Sequence, residues 1–517
     1  MKINKVIIRG FKKFSEIEIE FNDDYSVLIG DNESGKSTIL SAIDIVLNQM
    51  FFQRNESSLS RYINKEMANY FFNNPSVDTL PSIEIELFID MQRIPKEAMF
   101  NGLHYSNHNN QLETGIKFKY EFNREFQNQI DLIDFASHKI LPIEFYNASW
   151  TTFQGKSYVR KMMPLKFIHL DNSTRKNDLF GNYAKNIYES KVTEQDSMYL
   201  SADFNKVLSR FVDNHIKELS INDGKNIGFD ANKTEISRIL DIYENEISLK
   251  DMGKGKENIV RTELAISNNL FDLILIDEPE SHLSYTNTRK LVEEIKAVSN
   301  AQIIIASHSS LIVSRLNLKN TLFVSGNNIS SLQSLSDDTN NYFKKSDNLD
   351  ILRFIVAEKV ILVEGTAEYI VIPAIYKKIF NEDLEKDNID IISMGSISYK
   401  RYFEVNSNLK GKKVLVFTDN DKKEDNNFEE TSHFKVFTDA SIENWTLEVA
   451  FYNINKKFFD EEYKEKRTVP TYNNESMELA KAHMLKNKTE NALVIEEKID
   501  EITIPEYIRE GLKWIRE

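Results

Sequence analysis

The sequence predicts an α/β protein organised on parallel sheets, and three observations carry that prediction. Two apolar runs each stop on acids: VILVEGTAEYI (residues 360–370) delivers Glu364, and KKVLVFTDND (412–421) delivers Asp419 and Asp421. The stretch GDNESGKST (30–38) lies between an apolar strand and an amphipathic helix pattern, ILSAIDIVL. A third run, FDLILIDEPESHL (271–283), ends on Asp277 and Glu278, and AQIIIAS (301–307) follows it and ends at His308. Short apolar runs bounded by turn residues read as strands buried on both faces, as in parallel sheets covered by helices.

Composition sets the bounds. A chain of 517 residues has length for two or three domains with sizeable cores. The absence of cysteine excludes disulfides and thiolate metal sites, and fits a reducing cytoplasm. The apolar core of the first residues is too short for a signal peptide, and no 18-residue apolar run is present to span a membrane. A net charge of −15 weighs against a coat-like, non-specific DNA binder. It leaves room for an enzyme that grips phosphate locally through lysines and cations.

In chain order, residues 2–9 and 16–21 alternate as strands and 25–29 form an apolar one. GDNESGKS is then G-x-x-x-x-G-K-S in the strand-to-helix context it requires. Gly30 and Gly35 let backbone N–H groups around Asn32 curl about phosphate, beside the positive end of the helix dipole. Lys36 would reach the β- and γ-phosphates, Ser37 would hold Mg²⁺, and Thr38 continues the loop. Residues 50–80 are polar and aperiodic, which predicts a surface excursion. Residues 82–90 and 115–122 alternate as half-exposed strands of an antiparallel flank. PLKFIHL (164–170) returns to the central sheet. Residues 172–250 predict a helical insertion, the ISRILDIYENEISL run included. Asp277 can orient Mg²⁺ through water, Glu278 can polarise the attacking water, and His308 can sense the γ-phosphate. The polar run 325–350 predicts a linker. Beyond it, strand and helix alternate from 359 to 419, which predicts a compact parallel sheet.

An acid at a strand end is by itself an ordinary turn residue. Two such strands in one parallel sheet bring their acids together beyond its carboxyl edge, where open α/β sheets place ligands. Glu368, four positions after Glu364, adds a carboxylate one helical turn on. Such a cluster repels itself unless it binds divalent cations, and oxygen ligands suit Mg²⁺ or Mn²⁺. IENWTLEVAF carries Glu448 on a helix facing inward, and Lys488 precedes a late helix.

The Glu-Gly after one strand and the Asp-x-Asp after a later one resemble the Toprim domain of topoisomerases, primases and some nucleases. IRGFKKF, the phosphate loop, DEPESHL and ASHS resemble the ABC-type ATPase head of SMC and RecF proteins. Such heads close on a signature loop from a second head. Here that loop would be SLKDMGKGKEN (248–258), which keeps Gly253 and Gly255 but departs from the serine-glycine-glycine pattern. Gln154 is the candidate for the glutamine loop. An ABC-type ATPase head with a helical insertion, followed by a Toprim domain with a Rossmann-like parallel sheet, is similar to the overcoming-lysogenisation-defect (OLD) nucleases. The Gabija nuclease subunit and certain retron-associated nucleases share that plan. The resemblance implies head segments at 1–171 and 251–340, an inserted dimerisation module at 172–250, and a Toprim nuclease at 350–517.

It further implies metal ligands at Glu364, Asp419 and Asp421, with Glu368 and Glu448 completing a second position. Lys488, or Lys486 beside it, would stabilise the scissile phosphate. The implied chemistry is phosphodiester hydrolysis by two cations about 4 Å apart, with ATP and Mg²⁺ or Mn²⁺ as cofactors. Implied partners are DNA, a second copy of the chain, and a system partner such as a helicase or a retron reverse transcriptase with its DNA. The alternative is a RecF-like repair ATPase scaffold with an inactive Toprim domain. A topoisomerase would need a DNA-gate module and a primase a zinc element, and neither is found.

Overall fold

A computed structural model describes residues 1–517 except 55, 92–96, 104–110, 131–138, 163–164, 173–183, 186, 189–190, 217–219, 223–224, 227–235, 237–238, 267–269, 346–349, 396–397, 410 and 424–427. The chain divides into two compact units: Met1–Leu316 with Asn320–Ile329, and Asn317–Lys319 with Ser330–Glu517.

The first unit is built on two large sheets. Strands β1 (Lys2–Phe11), β2 (Phe14–Glu20), β3 (Tyr25–Ile29), β4 (Ile83–Asp90), β5 (Glu113–Phe122) and β6 (Tyr146–Thr152) open the chain. All but β3 form an antiparallel sheet in the order β2-β1-β4-β5-β6. The second sheet joins β3 to β7 (Phe167–Asp171), β8 (Leu273–Asp277), β9 (Gln302–Ala306) and β10 (Thr321–Ser325). Parallel pairing runs β10-β3-β9-β8-β7, so the return of residues 164–170 to the central sheet holds. The helix Lys36–Leu47 supplies Ile39, Leu40, Ile43 and Val46 to a core shared by both sheets. Gln302 fastens one sheet to the other: its amide accepts from Ile3 N at 2.7 Å and donates to the Ile3 and Asn22 carbonyls at 2.8 and 2.9 Å.

Three expectations need correction in this unit. Residues 50–80 are not an aperiodic excursion: they carry the helices Gln49–Arg54 and Lys65–Asn73 and a 3-10 segment, Glu56–Tyr62, and bury Phe52, Leu59 and Phe71. The flank formed by β4 and β5 is antiparallel as expected but largely buried. Its alternating charges are satisfied by one another, with fully buried Glu86 held by Arg9 and Lys117 at 3.2 Å each. In the 172–250 stretch the described residues include a long helix, Glu194–Phe211, but Tyr243–Glu244 and Ile247–Ser248 pair as a hairpin. Asn245 and Glu246, both in left-handed backbone, make its turn and break the helical spacing read from the sequence.

In the second unit β11 (Lys359–Val363), β12 (Ile389–Ser393), β13 (Lys413–Phe417) and β14 (Phe434–Phe437) form one parallel sheet in the order β12-β11-β13-β14. The order reverses between β11 and β13, so the crevice beyond their carboxyl ends is a topological switch point. The final helix, Glu506–Arg516, lies against β13 through Gly511, where a Cβ would come within 2.8 Å of the Phe417 ring. The expected linker is partly structured: Asp337–Lys345 is a helix, and Ser336 Oγ donates to Glu404 at 2.9 Å. No helix among the described residues is long and apolar enough to cross a membrane.

Candidate functional sites

Each unit carries a site at the carboxyl edge of its parallel sheet. In the first, β3 ends at the phosphate loop, whose tight path needs Gly35 at φ +108°, where a Cβ would meet the Phe14 ring at 2.3 Å. A pocket of about 570 Å³ opens there, lined by Asn32, Gly35, Lys36, Ser37, Thr38, Glu278 and His308, with Lys12 and Lys13 from the β1–β2 turn. Lys36 is buried and donates to the carbonyls of Gly30 and Asp31 at 3.0 and 2.9 Å and to Ser34 Oγ at 3.2 Å. Burial pulls its ammonium down to about 8, against the pull of Asp277 and Asp31. Bound phosphate would restore the full charge, which suits the loop to an anion.

Ser37 Oγ donates to Asp277 Oδ1 at 3.0 Å, joining the loop to the end of β8. Burial pushes Asp277 up to about 6, outweighing that hydrogen bond and the pull of His169. This donor pair fits Mg²⁺ bridging to a nucleotide. Glu278 sits in left-handed backbone at φ +48° and accepts from Ser281 Oγ at 2.8 Å. Burial, then Lys36, hold His308 below the usual histidine value, so its ring is neutral near pH 7.

Gln154 does not belong to this pocket: it is exposed in the turn after β6. Gly253 and Gly255 do not line it either. Gly255 lies in the helix Lys254–Ile266 and packs against the His282 carbonyl, where a Cβ would lie at 2.4 Å. A residue that sequence reasoning missed is Asn172, just past β7, whose N–H donates to the Asp277 carbonyl at 3.3 Å. Its side-chain amide is buried with no hydrogen-bond partner among the described residues. Only the parallel pairing of β7 with β8, invisible along the chain, puts it there.

In the second unit the switch point gathers Glu364, Glu368, Asp419 and Glu448 of the expected acids, but not Asp421. Glu364 follows β11, and its Oε1 accepts from Asp419 N at 3.0 Å and from the Thr418 hydroxyl. Glu368 Oε2 accepts from Gly365 N at 3.1 Å at the start of the helix Thr366–Phe380. Asp419 Oδ1 accepts from Leu447 N at 3.0 Å, which ties β13 to the helix Leu447–Ile454 carrying Glu448. Glu448 is 1 % exposed, and Lys488 reaches it at 3.2 Å. Lys486 instead donates to the Val469 carbonyl at 3.0 Å, so Lys488 is the lysine at the cluster. Asp421 is not drawn in: it is exposed on the turn, in left-handed backbone.

Burial first, then Glu364 and Glu368, push Asp419 up to about 8. Ionising it near neutral pH is therefore unfavourable without a cation beside it. Burial, then Glu448 and Glu364, also raise Glu368. Burial opposes the charge on Lys488, yet Glu448 and Asp419 carry its pKa above the ordinary lysine value. One lysine does not neutralise the cluster, so the donor chemistry fits a divalent cation. Among the described residues no three such side chains converge at ligand spacing as they stand. An ion would draw the carboxylates away from their present N–H partners. Tyr507 was also missed: it packs edge-on to Phe417 at 6.1 Å, within electrostatic reach of Asp419 and Glu368.

Fold and sites together define a class of protein: a nucleotide-binding ATPase head joined to a Toprim module. Residues 1–313 match the AAA ATPase domain family, and residues 355–421 match the TOPRIM domain of overcoming lysogenization defect protein-like chains. The Old nuclease of Escherichia phage P2 is 29% identical over 149 residues, 26% of this chain and 25% of that relative, so the match spans about a quarter of its length. Similar solved structures include an SMC head bound to the C-winged helix domain of ScpA (15% identity, TM-score 0.36) and the SMC head domain from Thermotoga maritima (15%, 0.29). Each alignment covers 64% of this chain and 99% of the other. The chain belongs to the AAA ATPase domain family, and its second unit carries an OLD-like Toprim module at residues 355–421.

Proposed function

We propose that this protein is an ATP-regulated, divalent-metal-dependent DNA endonuclease that acts in the cytoplasm as an anti-phage effector. The observation that carries the reading is the meeting of Glu364, Glu368, Asp419, Glu448 and Lys488 at the β11/β13 switch point. Glu364, Glu368, Asp419 and Glu448 would hold Mg²⁺ or Mn²⁺, with Asp421 joining from its exposed turn. Cations bound there lower the pKa of water and neutralise the leaving 3′ oxygen. Lys488 orients the scissile phosphate, while the buried backs of Glu448 and Glu368 keep the carboxylates from swinging free. In the head, Lys36 grips the β- and γ-phosphates, Ser37 and Asp277 hold the nucleotide's Mg²⁺, and Glu278 and His308 face the γ-phosphate. Gly253 and Gly255 lie off their own chain's pocket, which supports a second copy supplying them and hence a dimer or larger oligomer built through the 172–250 segment. A helicase, or a reverse transcriptase with its DNA, is the kind of system partner that fits such an effector.

The test is supercoiled plasmid incubated with Mg²⁺ or Mn²⁺, with and without ATP. Wild type should nick or linearise it, and Asp419→Ala should abolish cleavage by at least 100-fold with the melting temperature preserved. Lys36→Ala should lose nucleotide binding and with it the ATP dependence of cleavage. Unchanged control in a variant that no longer binds nucleotide would sink the coupling. That no three ligating side chains converge among the described residues favours a second reading, an ATPase scaffold with an inactive Toprim domain. Metal-dependent cleavage by wild type but not by Asp419→Ala excludes it.

A further inference from the structure

We propose that the rim of the acid cluster is a stacking platform for an unpaired nucleobase, formed by Trp445, Tyr472 and Lys422. The inference rests on the nuclease reading and names its substrate class, a strand with at least one unpaired base beside the cleaved bond. The Trp445 and Tyr472 rings lie 6.0 Å apart at 34°, and Lys422 Nζ sits 5.0 Å from the Trp445 ring. Both aromatic side chains are partly exposed and Lys422 is exposed, so a ligand can reach the group.

The three residues are tied to the acids by short pieces of chain. Trp445 stands two residues before Leu447, whose N–H is bound by Asp419. Lys422 follows Asp421, and consecutive left-handed residues there (φ +50° and +63°) turn the chain sharply between the acid and the ring. Asn420 donates to the Asp439 and Ser441 carbonyls at 3.0 and 2.8 Å, and Asn444 to Asp439 Oδ2 at 3.0 Å, which fixes the loop leading to Trp445. Tyr472 comes from a separate hairpin, Thr471–Tyr472 with Glu475–Ser476, whose Asn473 and Asn474 are both left-handed.

A flat, uncharged base gains from stacking on such rings whatever its identity, because every base presents a π-face. In an intact duplex both faces are covered by neighbouring base pairs, so only an unpaired or extruded base can use the platform. Lys422 is held by Glu475 only loosely, at 3.9 Å between exposed groups, and is free to pair with the adjoining phosphate.

The test uses the full-length chain in Ca²⁺, with a dye-labelled 20-nucleotide poly-dT strand and a 20-base-pair duplex as probes read by fluorescence anisotropy. Wild type should prefer the single strand. Trp445→Ala and Tyr472→Ala should each lose roughly tenfold in single-strand affinity while duplex affinity stays put, and Trp445→Phe should recover most of it. In parallel, wild type is photo-crosslinked to a strand carrying 5-iodouracil, which needs no variant to fold. Crosslinks at Trp445 or Tyr472 uphold the platform, and crosslinks only elsewhere overturn it. Equal losses on both probes, or none, also overturn it. Crosslinks at the platform in a wild type that cuts no DNA with Mg²⁺ would keep base binding and remove the nuclease reading instead.

Discussion

Burial raises the Asp277 pKa to about 6, helped by the neighbouring acids Asp171 and Glu278, while the Ser37 hydroxyl and His169 pull it down. Its folded value lies above the unfolded one, so the folded chain keeps a proton there that the unfolded chain releases. That contribution to stability is complete below about pH 4 and is lost as pH rises through about 6. Without nucleotide or cation, Asp277→Asn should therefore gain about 1–3 kcal/mol over wild type at pH 8 and little at pH 4. Thermal melts in EDTA across that range check it, and parallel pH profiles for the two proteins would refute it. At this scale much of the site was legible. Lys36, Ser37, Asp277, Glu364 and Asp419 stand at strand ends or on a phosphate loop, positions that local spacing announces. Asn172 and Tyr507 were not, because nothing local marks them; they reach their sites by strand pairing and by helix packing on Phe417.

Two glycines set how closely elements approach at the sites. Gly35 combines φ +108° with the Phe14 ring at 2.3 Å from a would-be Cβ. Gly35→Ala should thus strain the loop and weaken ATP binding at least tenfold by calorimetry, with the rest of the fold kept. Gly511 lets the last helix lie on Phe417 and Leu415, at 2.8 and 3.1 Å from a would-be Cβ. Gly511→Val should overpack that contact and destabilise the second unit by about 1–3 kcal/mol, read from denaturant midpoints. Strands were the elements best read from sequence, since apolar runs of that length have few other uses. Helices were read less well. The expected signature loop at 248–258 in fact runs into the helix Lys254–Ile266, where Gly255 and Asn258 pack on the 281–282 turn. The 243–248 hairpin was missed because two left-handed residues, not periodicity, decide it.

The whole chain is two units, each with its own core and its own site at a parallel sheet's carboxyl edge. A fragment of residues 330–517 should fold cooperatively by circular dichroism and bind Mn²⁺ by itself. Failure to melt as one transition would show that the core around β11 and β13 is incomplete without the head. Broad organisation was legible because each unit announces itself with its own strand-end chemistry, but residues 325–350 were read as linker because their polar composition hides the helix Asp337–Lys345. The order of the units along the polymer has one more consequence. Every residue of the nucleotide pocket, from Lys12 to His308, precedes β11. During synthesis the ribosome completes the ATPase head before the first acid of the Toprim module is made. A prematurely terminated product would thus carry the nucleotide pocket without the acid cluster.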